Sequence, residues 1–212
     1  MACRRGTWRR ARRGLWFHSV VQHDLALATH GVRLEPLGAQ HAAGLHAIVD
    51  DRIWAGMTSP RPTSVAEWER YVAAEQAATD KLAFAVVGEA GRELRGHTTF
   101  YDLVRSQRRV EIGSTFYGRA WWGGSTNPAC KYLLLRHAFE QWGMQRVALR
   151  ADARNTRSRA AIQRLGARPE GVLRKHRIAP DGSAGDTAYF SIVDDEWPAV
   201  RDGLLERLAA FA

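Results

Sequence analysis

The chain has 212 residues, 45% of them hydrophobic and 25% charged, which suits one compact domain with a substantial core and excludes disordered and fibrous classes. No apolar run approaches the roughly 18 residues that span a bilayer, and Cys3 and Cys130 form neither a disulfide framework nor a metal-type spacing, so a protein of the reducing cytoplasm with no membrane partner is expected. The net charge of +9 comes from 31 basic residues, only three of them lysines (Lys81, Lys131 and Lys175), and it is concentrated at the start.

Residues 1–29 read as a basic, disordered leader. Arg4, Arg5, Arg9, Arg10, Arg12 and Arg13 face only Asp24 there. The apolar stretch that follows the arginines is broken by His18, Gln22, His23 and Asp24, too early for an export signal, so an extension or a misassigned start is expected. Its charge implies weak, salt-sensitive attraction to RNA or ribosomes. From residue 30 to 212 neither a repeat nor a low-complexity linker interrupts the chain, and the span is read as one domain.

Within that domain, residues 31–37 alternate as a half-buried strand, with Pro36 suggesting an edge. Helices follow over 40–50 and 64–79, the second capped by Ser64 with Glu67 three residues on and carrying an inward stripe of Val65, Trp68 and Val72. Strands at 82–88, 95–104 and 108–117 are close enough for a meander. A glycine loop then enters a helix, with Asn127 as cap and Pro128 at the first position, that ends near Gly143. Residues 146–152 form a strand, 155–165 a helix, 170–178 and 186–193 two strands, and Asp194 or Asp195 caps a last helix carrying Trp197, Val200, Leu204, Leu205 and Leu208. The sum is an α/β (α+β) domain on a mixed sheet of about seven strands flanked by helices.

A strand, a glycine loop and a helix N-terminus in succession make an anion site, with phosphate as the natural guest. Lys131, placed in the first helical turn, is unfavourable there unless a pyrophosphate is bound. The P-loop pattern fails, because Gly118 to Gly124 lacks the Lys and the hydroxyl. A Rossmann-type nucleotide enzyme stays open as an alternative, with Asp152 as a stand-in for the ribose acid. His41, His46, His97 and His137 show no ligand spacing, so no metal is expected, and Cys130 reads as a small buried thiol.

The run Glu111-Ile112-Gly113-Ser114-Thr115, followed by Trp122-Gly123-Gly124-Ser125-Thr126-Asn127-Pro128-Ala129-Cys130-Lys131 and the helix to Glu140, resembles the acetyl-CoA binding core of the GNAT acetyltransferase superfamily. Asn155-Thr156-Arg157-Ser158-Arg159-Ala160-Ala161, Leu165-Gly166-Ala167, Glu170-Gly171-Val172-Leu173-Arg174 and Glu196-Trp197-Pro198 are similar to its branch of ribosomal-protein alanine N-acetyltransferases. The resemblance covers residues 30 to 210. It implies a sheet splayed between its fourth and fifth strands, here 110–117 and 146–152, where the pantetheine arm of acetyl-CoA inserts. Gly113 and Gly118 would loosen that ladder.

By the same resemblance, Phe116, Tyr117, Trp122, Gly123, Gly124, Ser125, Thr126, Asn127, Lys131, Asn155 and Ser158 hold the co-substrate. Ser125 stands where the family has glycine, and Ile162 where many members carry a tyrosine that protonates the leaving thiolate, which makes Ser158 the remaining hydroxyl for that role. The implied reaction is direct attack of a primary amine, on a protein N-terminus or a small molecule, with backbone N–H groups near Phe116 stabilising the oxyanion and Glu111 as base. Trp54, Trp68, His176 and Asp186 are the acceptor-side candidates. A non-catalytic acyl-CoA sensor is the competing reading, and monomer and homodimer are both open.

Overall fold

The computed structural model describes residues 23–179 and 182–211, so the arginine-rich part of the expected leader lies outside the described residues. Eight strands form one sheet: β1 (Leu27–Thr29), β2 (Val32–Pro36), β3 (Leu82–Gly88), β4 (Leu94–Val104), β5 (Arg109–Tyr117), β6 (Arg146–Asp152), β7 (Arg168–Ile178) and β8 (Ala184–Val193). Their order is β1-β2-β3-β4-β5-β6-β8-β7. Every neighbouring pair is antiparallel except β5 and β6. The helices are α1 (Ala42–Ile48), α2 (Asp51–Trp54), α3 (Val65–Ala77), α4 (Thr126–Arg136, continued by a π-helical turn to Gln141), α5 (Thr156–Gln163) and α6 (Trp197–Ala209). A parallel pair needs a crossover, and α4 supplies it between β5 and β6.

The period of two along β3 sorts its side chains into two cores. Phe84 and Val86 join the larger one, where Leu133, Leu134 and Leu135 of α4 and Trp197, Val200 and Leu204 of α6 cover one face. Ala83, Ala85 and Val87 join the smaller, where Leu45, Val49, Trp54, Trp68 and Val72 cover the other. A single mixed α/β domain results, as the sequence implies, with one strand more than expected.

The extra strand is β1, and it lies in the segment assigned to the leader. Leu27 pairs with Leu34 and Thr29 with Val32. His23 already donates from Nε2 to the Ala83 carbonyl at 2.9 Å and rests on the Phe84 ring at 4.6 Å. The boundary at residue 30 therefore falls inside a hairpin. β2 is correspondingly an interior strand, and Pro36 is tolerated because it pairs only with Phe84, beyond the reach of β1.

Three smaller expectations are corrected. Val65 is 39% exposed, so the buried stripe of α3 is Trp68 and Val72, although Ser64 caps it as expected by accepting from the Glu67 N–H. Ser125, not Asn127, is the N-cap of α4, which puts Pro128 third in the helix, where its missing N–H has no intrahelical partner to lose. Glu196, not Asp194 or Asp195, occupies the N-cap of α6, and its carboxylate accepts from the Val193 N–H at 3.1 Å. Among the described residues no helix is long and apolar enough to cross a membrane.

Candidate active site

β5 and β6 stay paired for only four residues, from Arg109↔Arg146 to Ile112↔Leu149, and then part. A local defect in β5 turns the strand away. Its register with β4 slips between the His97↔Phe116 and Thr99↔Gly113 pairs, and Ser114 takes the left-handed conformation at φ +46°. His97 fixes this bulge: fully buried, it donates from Nδ1 to the Ser114 carbonyl at 2.8 Å and stacks on Phe116 with ring centroids 5.2 Å apart. Burial lowers its pKa, which keeps the ring neutral. Gly113 makes room beside it for the Tyr101 ring, which a Cβ would meet at 2.6 Å.

The parted strands enclose a cleft of about 320 Å³, walled by residues 112–117 of β5, 149–152 of β6, the 121–124 loop, and Asn155, Ser158 and Ile162 of the α5 region. Gly123 enters the left-handed region at φ +80°, which only glycine adopts readily, and the Trp122 indole ties the loop back by donating to the Tyr117 carbonyl at 2.8 Å. The Asn155 side chain caps α5 by accepting from the Ser158 N–H at 2.9 Å. Five cations line the cleft: Arg150 of β6, Lys131 of α4, Arg157 and Arg164 at the two ends of α5, and Arg207 of α6. The Arg157 guanidinium lies 3.8 Å from the centroid of the Trp122 ring.

Lys131 is placed differently from the expectation. The earlier helix start moves it into the second turn, where its side chain reaches Thr115 of β5 and donates from Nζ to Oγ1 at 2.9 Å. It is 5% exposed, and burial pushes its pKa down to about 8. Cys130 beside it is fully buried, and its thiol is pushed up to about 11, which suits a structural residue and not a nucleophile.

The other sequence candidates divide. Phe116, Tyr117, Trp122, Gly123, Gly124, Asn127, Lys131, Asn155 and Ser158 all line the cleft. Ser125 and Thr126 do not; Thr126 is buried with its hydroxyl 3.4 Å from Arg95. Glu111 is also absent from the lining. It sits in the closed part of the ladder, opposite Tyr101 and Ala148, with Oε2 3.4 Å from Nε of Arg150, and Arg150 does line the cleft. Trp54 and Trp68 are 3% and 0% exposed and pack edge to face against each other, so their place is in the core. His176 meets Thr187 and Tyr189, and Asp186 accepts from the Lys175 N–H; neither reaches the cleft.

Residue-by-residue reading of the sequence misses Arg150, Arg164, Arg207 and the role of His97. Arg157 stands inside the Asn155–Ser158 signature without being singled out by it. Asp152 is not free to meet a ribose, because it is 6% exposed and bound by both Arg154 and Arg177. Together with a mostly antiparallel sheet, this overturns the Rossmann alternative. Among the described residues no cluster of His, Cys, Asp and Glu has the form of a metal site.

Comparison with known proteins places the same segment. Residues 32–168 match the family model of an acetyltransferase (GNAT) domain. Over 104 residues the chain is 32% identical to YdaF of Bacillus subtilis (strain 168), provisionally named a ribosomal N-acetyltransferase; the stretch is 49% of this chain and 56% of that protein, so the chain spans little more than half the length of that relative. A GCN5-related N-acetyltransferase from Brucella melitensis superposes with a TM-score of 0.83 at 29% identity, over 88% of this chain and 86% of that one. A structure from T. thermophilus, provisionally named an acetyltransferase, gives 0.81 at 32% identity, over 86% of this chain and 96% of that one.

Proposed function

Since the chain belongs to the GNAT acetyltransferase family, whose members use acetyl-CoA, we propose that it transfers the acetyl group of acetyl-CoA to a primary amine, on a protein N-terminus or a small molecule. One observation carries the reading: the sheet opens after Ile112 into a cleft ringed by Lys131, Arg157, Arg164 and Arg207, none of which has a carboxylate within ion-pair distance among the described residues. An opened ladder offers free backbone groups to an amide-bearing arm, and the unpaired arginines beside the glycine loop suit a polyphosphate.

Acetyl-CoA supplies an activated thioester; the protein supplies position, charge and proton handling. Trp122, Gly123, Gly124 and Asn127 would face the pyrophosphate from the loop and the start of α4, with Arg157, Arg164 and Arg207 around it. Asn155 and Ser158 would face the arm toward its sulfur. Backbone N–H groups near Phe116 would meet the developing oxyanion. Glu111, 3.4 Å from Nε of Arg150, would take the amine proton through water from just below the point where the strands part.

Thermal denaturation with acetyl-CoA tests binding, and ligand at 100 times its Kd should add about 2.7 kcal/mol to stability. Free-thiol release over a panel of N-terminal peptides, amino compounds and polyamines tests transfer. Turnover with any acceptor supports the enzyme. The buried Ile162, which lines the cleft where many relatives have tyrosine, favours a second reading as an acyl-CoA sensor, supported by tight binding with no release across the panel.

A further inference from the structure

Among the described residues, Lys131 is a cation enclosed without an anion beside it. An ammonium has three protons to donate, and one is accounted for: the 2.9 Å bond to Thr115 Oγ1. That hydroxyl is itself saturated, since it donates to the Gly113 carbonyl at 3.2 Å and meets the Thr98 hydroxyl at 2.8 Å. Among the described residues no carboxylate pairs with Lys131, yet it is 5% exposed and lines the cleft. Burying an unpaired ammonium is costly, so its remaining protons lack a partner that the bound state should provide.

Position decides which part of the ligand that is. The start of α4 and the glycine loop face one end of the cleft, whereas Lys131 stands a turn deeper and touches β5 two residues beyond Gly113, where the strands have just parted. The arm's reacting end belongs there and its phosphates at the loop. Resting on the acetyl-transfer reading, we infer that Lys131, in place of the Ser158 hydroxyl that the resemblance points to, is the proton donor to the departing thiolate, the role Ile162 leaves without a tyrosine. As the amine nitrogen forms its bond to the carbonyl carbon, the carbon–sulfur bond breaks with its electron pair on sulfur. Lys131 Nζ gives that sulfur a proton and is left as a neutral amine. The proton lost by the amine nitrogen passes through Glu111 to solvent, and solvent restores Lys131, so no net proton is consumed. Burial favours this cycle, because it holds Lys131 near the point of giving up its proton at neutral pH.

The test uses the full chain, free CoA as probe, and the variants Lys131→Met and Lys131→Arg. Methionine fits a buried aliphatic position and should not impair folding. With CoA bound, the thiol of the wild-type complex should ionise about tenfold more readily than free CoA, read from thiolate ultraviolet absorbance against pH, and Lys131→Met should abolish that difference. In turnover, Lys131→Met should lower kcat by about 10²-fold with the acetyl-CoA Kd changed less than about threefold. Lys131→Arg, which keeps the charge but cannot release a proton, should stay equally slow while still favouring the thiolate.

Three results overturn the assignment: a bound thiol that titrates alike in wild type and Lys131→Met, full turnover by Lys131→Arg, or a Kd raised tenfold with kcat intact in Lys131→Met, which would make the lysine a phosphate anchor. Absence of CoA binding by the wild type defeats the acetyl-CoA reading itself. Thiol ionisation shifted by Lys131 without turnover on any acceptor leaves only a charged contact to the sulfur and overturns proton donation.

Discussion

Replacing Glu111 by glutamine removes a negative charge beside Arg150 and leaves shape almost unchanged. If Glu111 serves as the base, Glu111→Gln should keep acetyl-CoA affinity and lower kcat by about 10²-fold or more, with the deficit shrinking as pH rises and the acceptor amine loses its proton unaided. A pH profile of kcat for both proteins checks it. Lys131 carries a second, thermodynamic expectation. Its folded pKa, about 8, lies below its ordinary value of 10.5, so the penalty is complete below about pH 8 and disappears as pH rises past 10.5. Lys131→Met should therefore be more stable than wild type at pH 7, by roughly 3–8 °C in Tm, and the gap should close between pH 8 and 10.5 in a series of melts. A substitution that disables chemistry while stabilising the fold is the signature of a group kept for function.

At the scale of elements, Asp152 joins pieces that sequence reading treats separately. It ends β6, binds Arg154 after it, and binds Arg177 of β7, whose other nitrogen donates to the Gly56 carbonyl beyond α2 at 3.1 Å. Burial raises its carboxyl pKa, but Arg154 and Arg177 more than offset this and hold it below the usual range. Asp152→Asn leaves Arg177, itself 10% exposed, without its anion and should cost about 3 kcal/mol, a fall in Tm of roughly 6–12 °C, measurable by calorimetry. Such links separate what the sequence makes legible from what it hides. The glycine loop, the cap at Ser64 and the strand 109–117 are contiguous in the chain, so local spacing announces them. Arg150, Arg164 and Arg207 reach the cleft from three elements, and nothing in their neighbours marks them out. Val65 has the right period for burial, but periodicity says which side of a helix faces inward and not how far the sheet extends beneath it. His97 is visible in the sequence only as a histidine without ligand spacing, because its purpose is set by a bulge on the next strand.

For the whole molecule, the domain starts earlier than residue 30. β1 is three residues long, too short for an alternating pattern to register, and its neighbour His23 is anchored to β3. A chain shortened to begin at residue 23 should keep its Tm within about 2 °C and its acetyl-CoA affinity, whereas one beginning at residue 30 loses β1 and should melt several degrees lower. The surplus of arginines in the first 13 residues should show separately, as retention on RNA at low salt that the chain from residue 23 lacks. Column retention over a salt gradient distinguishes the two effects.

The four-residue contact between β5 and β6 also makes the sheet an unfinished one. Past Ile112 and Leu149 the facing edges of β5 and β6 are unpaired, while their outer edges stay paired with β4 and β8, so the amides of 113–117 and 150–152 that point into the gap are expected to trade their hydrogens for solvent deuterium quickly and those of the paired stretch 109–112 slowly. An arm lying in the gap as an additional strand would close the ladder, so acetyl-CoA should slow exchange on both sides of the opening at once, over and above any protection at the glycine loop. The protein would then complete its own secondary structure only when loaded, and the opening of the sheet and the release of product become one event.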